Sequence, residues 1–274
     1  MKNIVENHIR SLLYKDIRLD GRKLDEYRKV EIEYGVSSKS AEGSARVKVG
    51  KTEVAAGVKM EIGTPYPDTQ EEGSFMANVE LLPLSSSAFE SGPPSVESIE
   101  LARSVVDRGI RESHTIDFKK LCIKKGEKVW IIIVDVYSIN DDGNLADAIG
   151  LAALAALKDA KFPKYDEKEW KIDYNEKTKK KVELSELPIP VTILKIDDKF
   201  IVDPILDEME TMDSRLTVTS IENGKIVALQ KGGNGTLSDN DIEKMIEIGI
   251  KKGKELRKVF QKWKKKLKNQ ESKK

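Results

Sequence analysis

Residues 129–160, VWIIIVDVYSINDDGNLADAIGLAALAALKDA, contain two apolar runs separated by a polar turn. The first run, Val129 to Ile139, is dense in β-branched and aromatic residues and reads as a buried strand. Asp141-Asp142-Gly143-Asn144 supplies turn chemistry. The second run, from Leu145 to Ala160, is rich in alanine and leucine and reads as an apolar helix. A buried strand feeding a buried helix sets a core near the middle of the chain.

Working outward toward the N-terminus, Ser95 follows two prolines and is placed to cap a helix over 95–112. Val96, Ile99, Ala102, Val106 and Ile110 would form its inward stripe. NVELLPL at 78–84 reads as a strand, and TPYPDTQEEG at 64–73 as a loop. GSARVKVGKTEVAAGVKMEI at 43–62 is a hairpin turning at Gly50-Lys51, preceded by the strand-like EIEYG. Residues 2–14 suggest a short helix carrying Ile4, Val5, Ile9, Leu12 and Leu13 on one side.

Toward the C-terminus, KFPKYDEKEWKIDYNEKTKKKVELSEL at 161–187 is polar and reads as an exposed connection. Strands follow at PVTILKI and KFIVDP, then a hairpin, RLTVTSIENGKIVALQ, turning at Asn223-Gly224. Ser238 and Asp241 start a long helix in capping-box style. Each half therefore runs from strands and a hairpin into a long helix, a duplicated α+β unit. The divisions are 1–28, helix and lead-in; 29–160, first half; 161–187, charged connection; 188–268, second half with the long helix; and 269–274, basic tail.

Among 274 residues, 39% are hydrophobic and 35% charged, the balance of a globular protein with a heavily charged surface. No apolar run approaches the roughly 18 residues of a membrane span. A lone cysteine, Cys122, excludes an internal disulfide framework and fits a reducing cytoplasm; in its sequence context it reads as a small hydrophobe. The net charge of +1 hides an asymmetry, because residues 251–274 carry +10 and the rest −9. Such a tail attracts nucleic acid non-specifically, or is simply a solvated helix end.

Chemistry-bearing residues are few. Two histidines, His8 and His114, are too sparse for a His-based metal site or triad. KGGNG at 231–235 is glycine-rich but by itself more often a turn than a phosphate nest. Arg108 and Arg111, with Arg103 one turn back, lie opposite the expected apolar stripe and could hold phosphates, or be paired with Asp107. Asp203, Asp207, Glu208, Glu210 and Asp213 crowd one segment; they could bind a metal or form a solvated acidic loop.

Taken together, LDGR at 19–22, IELARSVVDRGIR at 99–111, VDVYSINDDGNLADA at 134–148, VDPILDEMETMDSRLTV at 202–218 and IVALQKGGNG at 226–235 resemble the RNase PH family. NVELLPL, ESGPPS and IELARSVVDR look most like its non-catalytic branch in the archaeal exosome ring. The resemblance implies an RNase PH-like fold of two similar βαβα-type halves, assembling into a hexameric ring. Active members degrade RNA from the 3′ end with inorganic phosphate, held by arginine, and a carboxylate pair. Where active members read DGGTRTA, this chain reads Asp142-Gly143-Asn144-Leu145-Ala146-Asp147-Ala148, so the phosphate arginine is replaced by Ala146. The two aspartates of the later acidic motif, aligned from Asp203, fall at Met209 and Arg215.

These substitutions imply a pseudoenzyme with no catalytic residue, metal or cofactor of its own. Its expected partners are a catalytic sister subunit in a ring of three heterodimers, RNA-binding cap subunits and single-stranded RNA, in the cytoplasm. Arg103, Arg108 and Arg111 become candidate RNA contacts. A competing expectation is an active phosphorolytic exoribonuclease in which a register slip brings Asp207 and Asp213 into the acidic pair. A third is a basic-tailed interaction module.

Overall fold

The computed structural model describes the backbone of residues 2–271 and the side chains of 4–261. The end of the expected basic tail, 272–274, lies outside the described residues, as do the tail's side chains.

Two sheets and a central helix organise the molecule. In the first sheet the order is β1 (Val30–Tyr34), β2 (Gly43–Val49), β3 (Thr52–Gly63), β6 (Lys128–Asn140) and β4 (Ser74–Glu80), with the short β5 (Cys122–Lys124) on β6. All neighbours are antiparallel except β4, which runs parallel to β6. In the second the order is β10 (Lys199–Val202), β9 (Ile189–Ile196), β11 (Ser214–Ser220) and β12 (Ile226–Gly232).

Between the sheets lies α4 (Leu145–Asp159), buried on every side from Leu145 to Leu157. A helix apolar all round has no solvent face and belongs inside. Its small residues set the approach: a Cβ at Gly43 of β2 would collide with the Ala156 carbonyl and the Ala160 backbone, and one at Gly150 with Pro190 of β9. On the far face of the second sheet packs α6 (Asp239–Glu271), where Gly249 and Gly253 bring it against Val218 and Ser220. Its start is the expected capping box: Asp241 N–H donates to Ser238 Oγ at 3.2 Å and Ser238 N–H to Asp241 Oδ2 at 2.9 Å.

Five expectations change. Residues 161–187 are not a plain connection, because β7 (Lys161–Tyr165) and β8 (Ile172–Lys181) pair into a hairpin. Its root is apolar, with Phe162 and Tyr165 edge-on to Trp130 at 5.4 Å, while its remaining polar residues face solvent. The strand expected at 78–84 begins earlier, at Ser74, and ends at Glu80. Among the described side chains of α1 (Lys2–Tyr14) only Ile9 and Leu13 are buried, and Ile4 and Val5 are exposed. Cys122 is half-buried.

The fifth change concerns the helix after Ser95. It runs as α2 (Val96–Glu100), a π-helical stretch (Leu101–Asp107) and α3 (Arg108–Glu112). Its buried positions are Ser98, Leu101, Ala102, Ser104, Val105, Val106, Gly109 and Ile110, whereas Val96 and Ile99 are exposed. Apart from Ser104, those positions recur every four residues, a spacing that drifts around an α-helix; wider π turns hold it on one side.

Candidate active-site cleft and arginine face

α4 begins where the first half meets the second, and the residues around its N-terminus are locked by an internal ion network. Asn144, in the left-handed region at φ 59°, precedes the helix. Its side-chain amide donates to Asp147 at 2.9 Å and to Asp203 at 2.8 Å. Asp203, fully buried, also accepts from Arg28 Nε at 2.9 Å, Arg28 Nη2 at 2.8 Å and Arg22 at 3.0 Å. Burial opposes its charge, but the Arg28 guanidinium prevails and holds the carboxyl below the ordinary range. LDGR thus contributes Arg22 to a structural hub. Asp147 accepts from Tyr27, Asn144 and Thr192, yet complete burial pushes its carboxyl up to about 6.

Beside this hub opens a cleft of about 310 Å³. Ala146 from α4, Met209 from α5 (Leu206–Thr211) and Arg215 from β11 all line it, with Glu97, Asp141 and Glu210. Ala146 and the distant pair Met209 and Arg215 therefore share one space. Arg215 is its cation: Nη2 lies 3.2 Å from Glu100 Oε1. Burial raises Glu97, an effect that nearby Arg215 offsets in part.

The acidic segment is dispersed rather than clustered. Glu208 forms a fully buried pair with Arg18, Nε to Oε1 at 2.9 Å, a partnership that nothing in the local sequence signals. Asp213 pairs with Arg10 at 2.9 Å and accepts the Asp197 N–H at 2.6 Å. Asp207 lies by Val5 and Glu6, off the cleft. Among the described residues no group of three or more His, Cys, Asp or Glu side chains is placed to hold a metal ion. The glycines of 231–235 wrap the Asp213 backbone, with Gly235 N–H donating to the Asp213 carbonyl at 2.7 Å, which favours the turn reading.

Of the candidate arginines, Arg111 is occupied. Nε donates to Asp107 at 2.8 Å, Nη2 to the Phe75 carbonyl, and the guanidinium lies over the Phe75 and Phe118 rings at 5.9 and 5.6 Å. Arg103 and Arg108 are exposed, and neither forms an ion pair among the described residues. The π turn relates them: Arg108 N–H donates to the Arg103 carbonyl. Residues five apart thereby come onto consecutive turns of one side, which α-helical spacing would separate.

The structure thus presents a cleft at the N-terminus of the buried α4, and two exposed arginines, Arg103 and Arg108, unpaired among the described residues, on the helical segment whose Leu101 lines that cleft. Residues 26–163 match the 3′ exoribonuclease family, domain 1, and residues 186–252 match domain 2 of the same family. The chain belongs to this family, RNase PH. It is 46% identical over 268 residues to the exosome complex component Rrp42 of Thermococcus gammatolerans, covering 95% of each. A chain of the Archaeoglobus fulgidus exosome with RNA bound to the active site superimposes with a TM-score of 0.87 at 45% identity, covering 94% of this chain and 98% of that one. An archaeal exosome core chain gives 0.83 at 42%, covering 95% and 97%. No helix among the described residues is long and apolar enough to cross a membrane.

Proposed function

We propose that this chain is the non-catalytic, RNA-binding subunit of an archaeal exosome ring, supporting 3′-to-5′ phosphorolysis by a catalytic sister. The observation that carries it is the cleft where Ala146, Met209 and Arg215 meet. Alanine offers no donor to phosphate. A thioether cannot exchange a proton at neutral pH, and an arginine repels the metal that an aspartate would position. The competing reading, with Asp207 and Asp213 as the acidic pair, is disfavoured because Asp213 is engaged by Arg10 and Asp207 faces elsewhere.

The resemblance supports three such chains alternating with three sisters, each completing the sister's site across an interface, with RNA-binding caps on one face. Arg103 and Arg108 are the RNA contacts of this reading, and Arg111 supports the helix that carries them. Binding through phosphates is tolerant of sequence and sensitive to salt. Replacing Arg103→Glu and Arg108→Glu together should weaken single-stranded RNA binding by the ring reconstituted with its sister. The slope of log affinity against log salt should fall by about one per lost phosphate contact. Unchanged affinity and slope would remove the RNA role from this chain.

A further inference from the structure

The charge in the cleft beside Ala146, Met209 and Arg215 is negative. Glu97, Asp141 and Glu210 line it, with no lysine and Arg215 as the one arginine. Arg215 is engaged by Glu100 at 3.2 Å. The guanidinium of Arg28, which acts on Asp141, is taken up by Asp142 and the buried Asp203. The Asp141 carboxylate accepts the Gly143 N–H at 2.9 Å, and neither it nor Glu97 forms an ion pair among the described residues. Desolvation raises both carboxyls above their ordinary values, and Asp141 adds to the rise at Glu97. Two acids that oppose each other's ionisation are relieved by a cation between them.

Asn144 supplies an independent sign. It is 1% exposed and lines the cleft. Its amide nitrogen donates to Asp147 and Asp203, which fixes the group's orientation, because a flipped amide would turn its oxygen against two carboxylates. Oδ1 therefore points away from both, and among the described residues no donor reaches it. A buried acceptor without a donor is rare, and one in the wall of a cleft marks a place for a ligand N–H. The positive end of α4 does not oppose a cation there, since Asp147 occupies the helix's first turn.

We propose that this cleft binds a small organic cation bearing a guanidinium. The polar atoms left to such a ligand are acceptors: Glu97, Asp141 and Asn144 Oδ1. Phe89, Leu101 and Leu206 supply apolar wall. A guanidinium donates in several directions within its plane and is weakly hydrated, so it suits acceptors set among apolar side chains better than a compact ammonium does. The site uses none of Arg103, Arg108 or Arg111 and stands apart from the RNA reading.

The test titrates the full chain with butylguanidinium by calorimetry. Butylurea, its uncharged isostere, inorganic phosphate and Mg²⁺ are the comparisons. Butylguanidinium should bind at one site, and butylurea and phosphate should not. Glu97→Gln and Asp141→Asn should each weaken binding about tenfold, the worth of one hydrogen bond to a charged group. Neither should lower thermal stability, because each carboxyl is harder to ionise in the fold than outside it. Equal binding of butylurea, phosphate in the guanidinium's place, displacement by an equal concentration of Mg²⁺, or affinity indifferent to both substitutions would each overturn the proposal. Loss of stability in both variants would overturn it as well, by showing that the two acids are satisfied within the fold.

Discussion

Arg215 reaches from β11 to Glu100 on α2, 3.2 Å between Nη2 and Oε1, and so joins the two halves across the cleft. The same side chain that removes an acid from the expected catalytic position supplies the cation for Glu97 and Glu100. Arg215→Ala should therefore destabilise the fold by about 1–3 kcal/mol, since it leaves partly buried carboxylates unpaired. Denaturant unfolding should show a larger loss at alkaline than at mildly acidic pH, where protonation of Glu97 relieves the repulsion.

Asp203 is held by Arg28, Arg22 and Asn144, with no water-accessible surface of its own. Arg28→Met should cost about 3–5 kcal/mol by leaving that charge under-compensated. Because the folded carboxyl titrates below its ordinary value, its contribution is present above the unfolded pKa of about 4 and is lost as pH falls through the lower folded value. Acid unfolding of the wild type should begin below about pH 4, and Arg28→Met should shift that onset upward.

Asp147 behaves with the opposite sign. Its folded pKa, raised by burial to about 6, exceeds the unfolded value. The associated stability is complete below the unfolded pKa and declines as pH rises through about 6. Stability measured between pH 4 and 7 should fall with rising pH, by at most about 1.4 kcal/mol per unit from this group. Asp147→Asn should remove that slope.

Arg111 donates to Asp107 and the Phe75 carbonyl and lies over the Phe75 and Phe118 rings. Arg111→Ala should lower stability by about 1 kcal/mol and alter ring affinity for RNA far less than Arg108→Ala. A larger effect on RNA than on stability would return Arg111 to the contact face.

Strand-to-helix order, both hairpin turns and the capping box at Ser238 were legible because each depends on local chemistry: β-branched runs, Gly50 and Asn223-Gly224, and a serine three residues ahead of an aspartate. Ala146, Met209 and Arg215 could be named from resemblance, but only folding brings them to one cleft. Of the inward face expected over 96–112, Ala102, Val106 and Ile110 are buried, but Val96 and Ile99 are not, because a π turn changes the period, which α-helical spacing does not anticipate. Arg18 with Glu208, and Arg28 with Asp203, escaped notice because pairs separated by so much chain leave no periodic trace. The polar hairpin at 161–187 hid its few anchoring residues, Phe162 and Tyr165, among lysines and carboxylates.

The central claim, that this chain has lost the chemistry of its family, is tested most directly by incubating the purified chain with 5′-labelled poly(A), inorganic phosphate and Mg²⁺, alone and premixed with its catalytic sister. The predicted result is intact RNA with the chain alone, and shortening by the mixture above the sister's own rate. Phosphate-dependent shortening by the isolated chain, abolished by Asp207→Ala or Asp213→Ala, would contradict it.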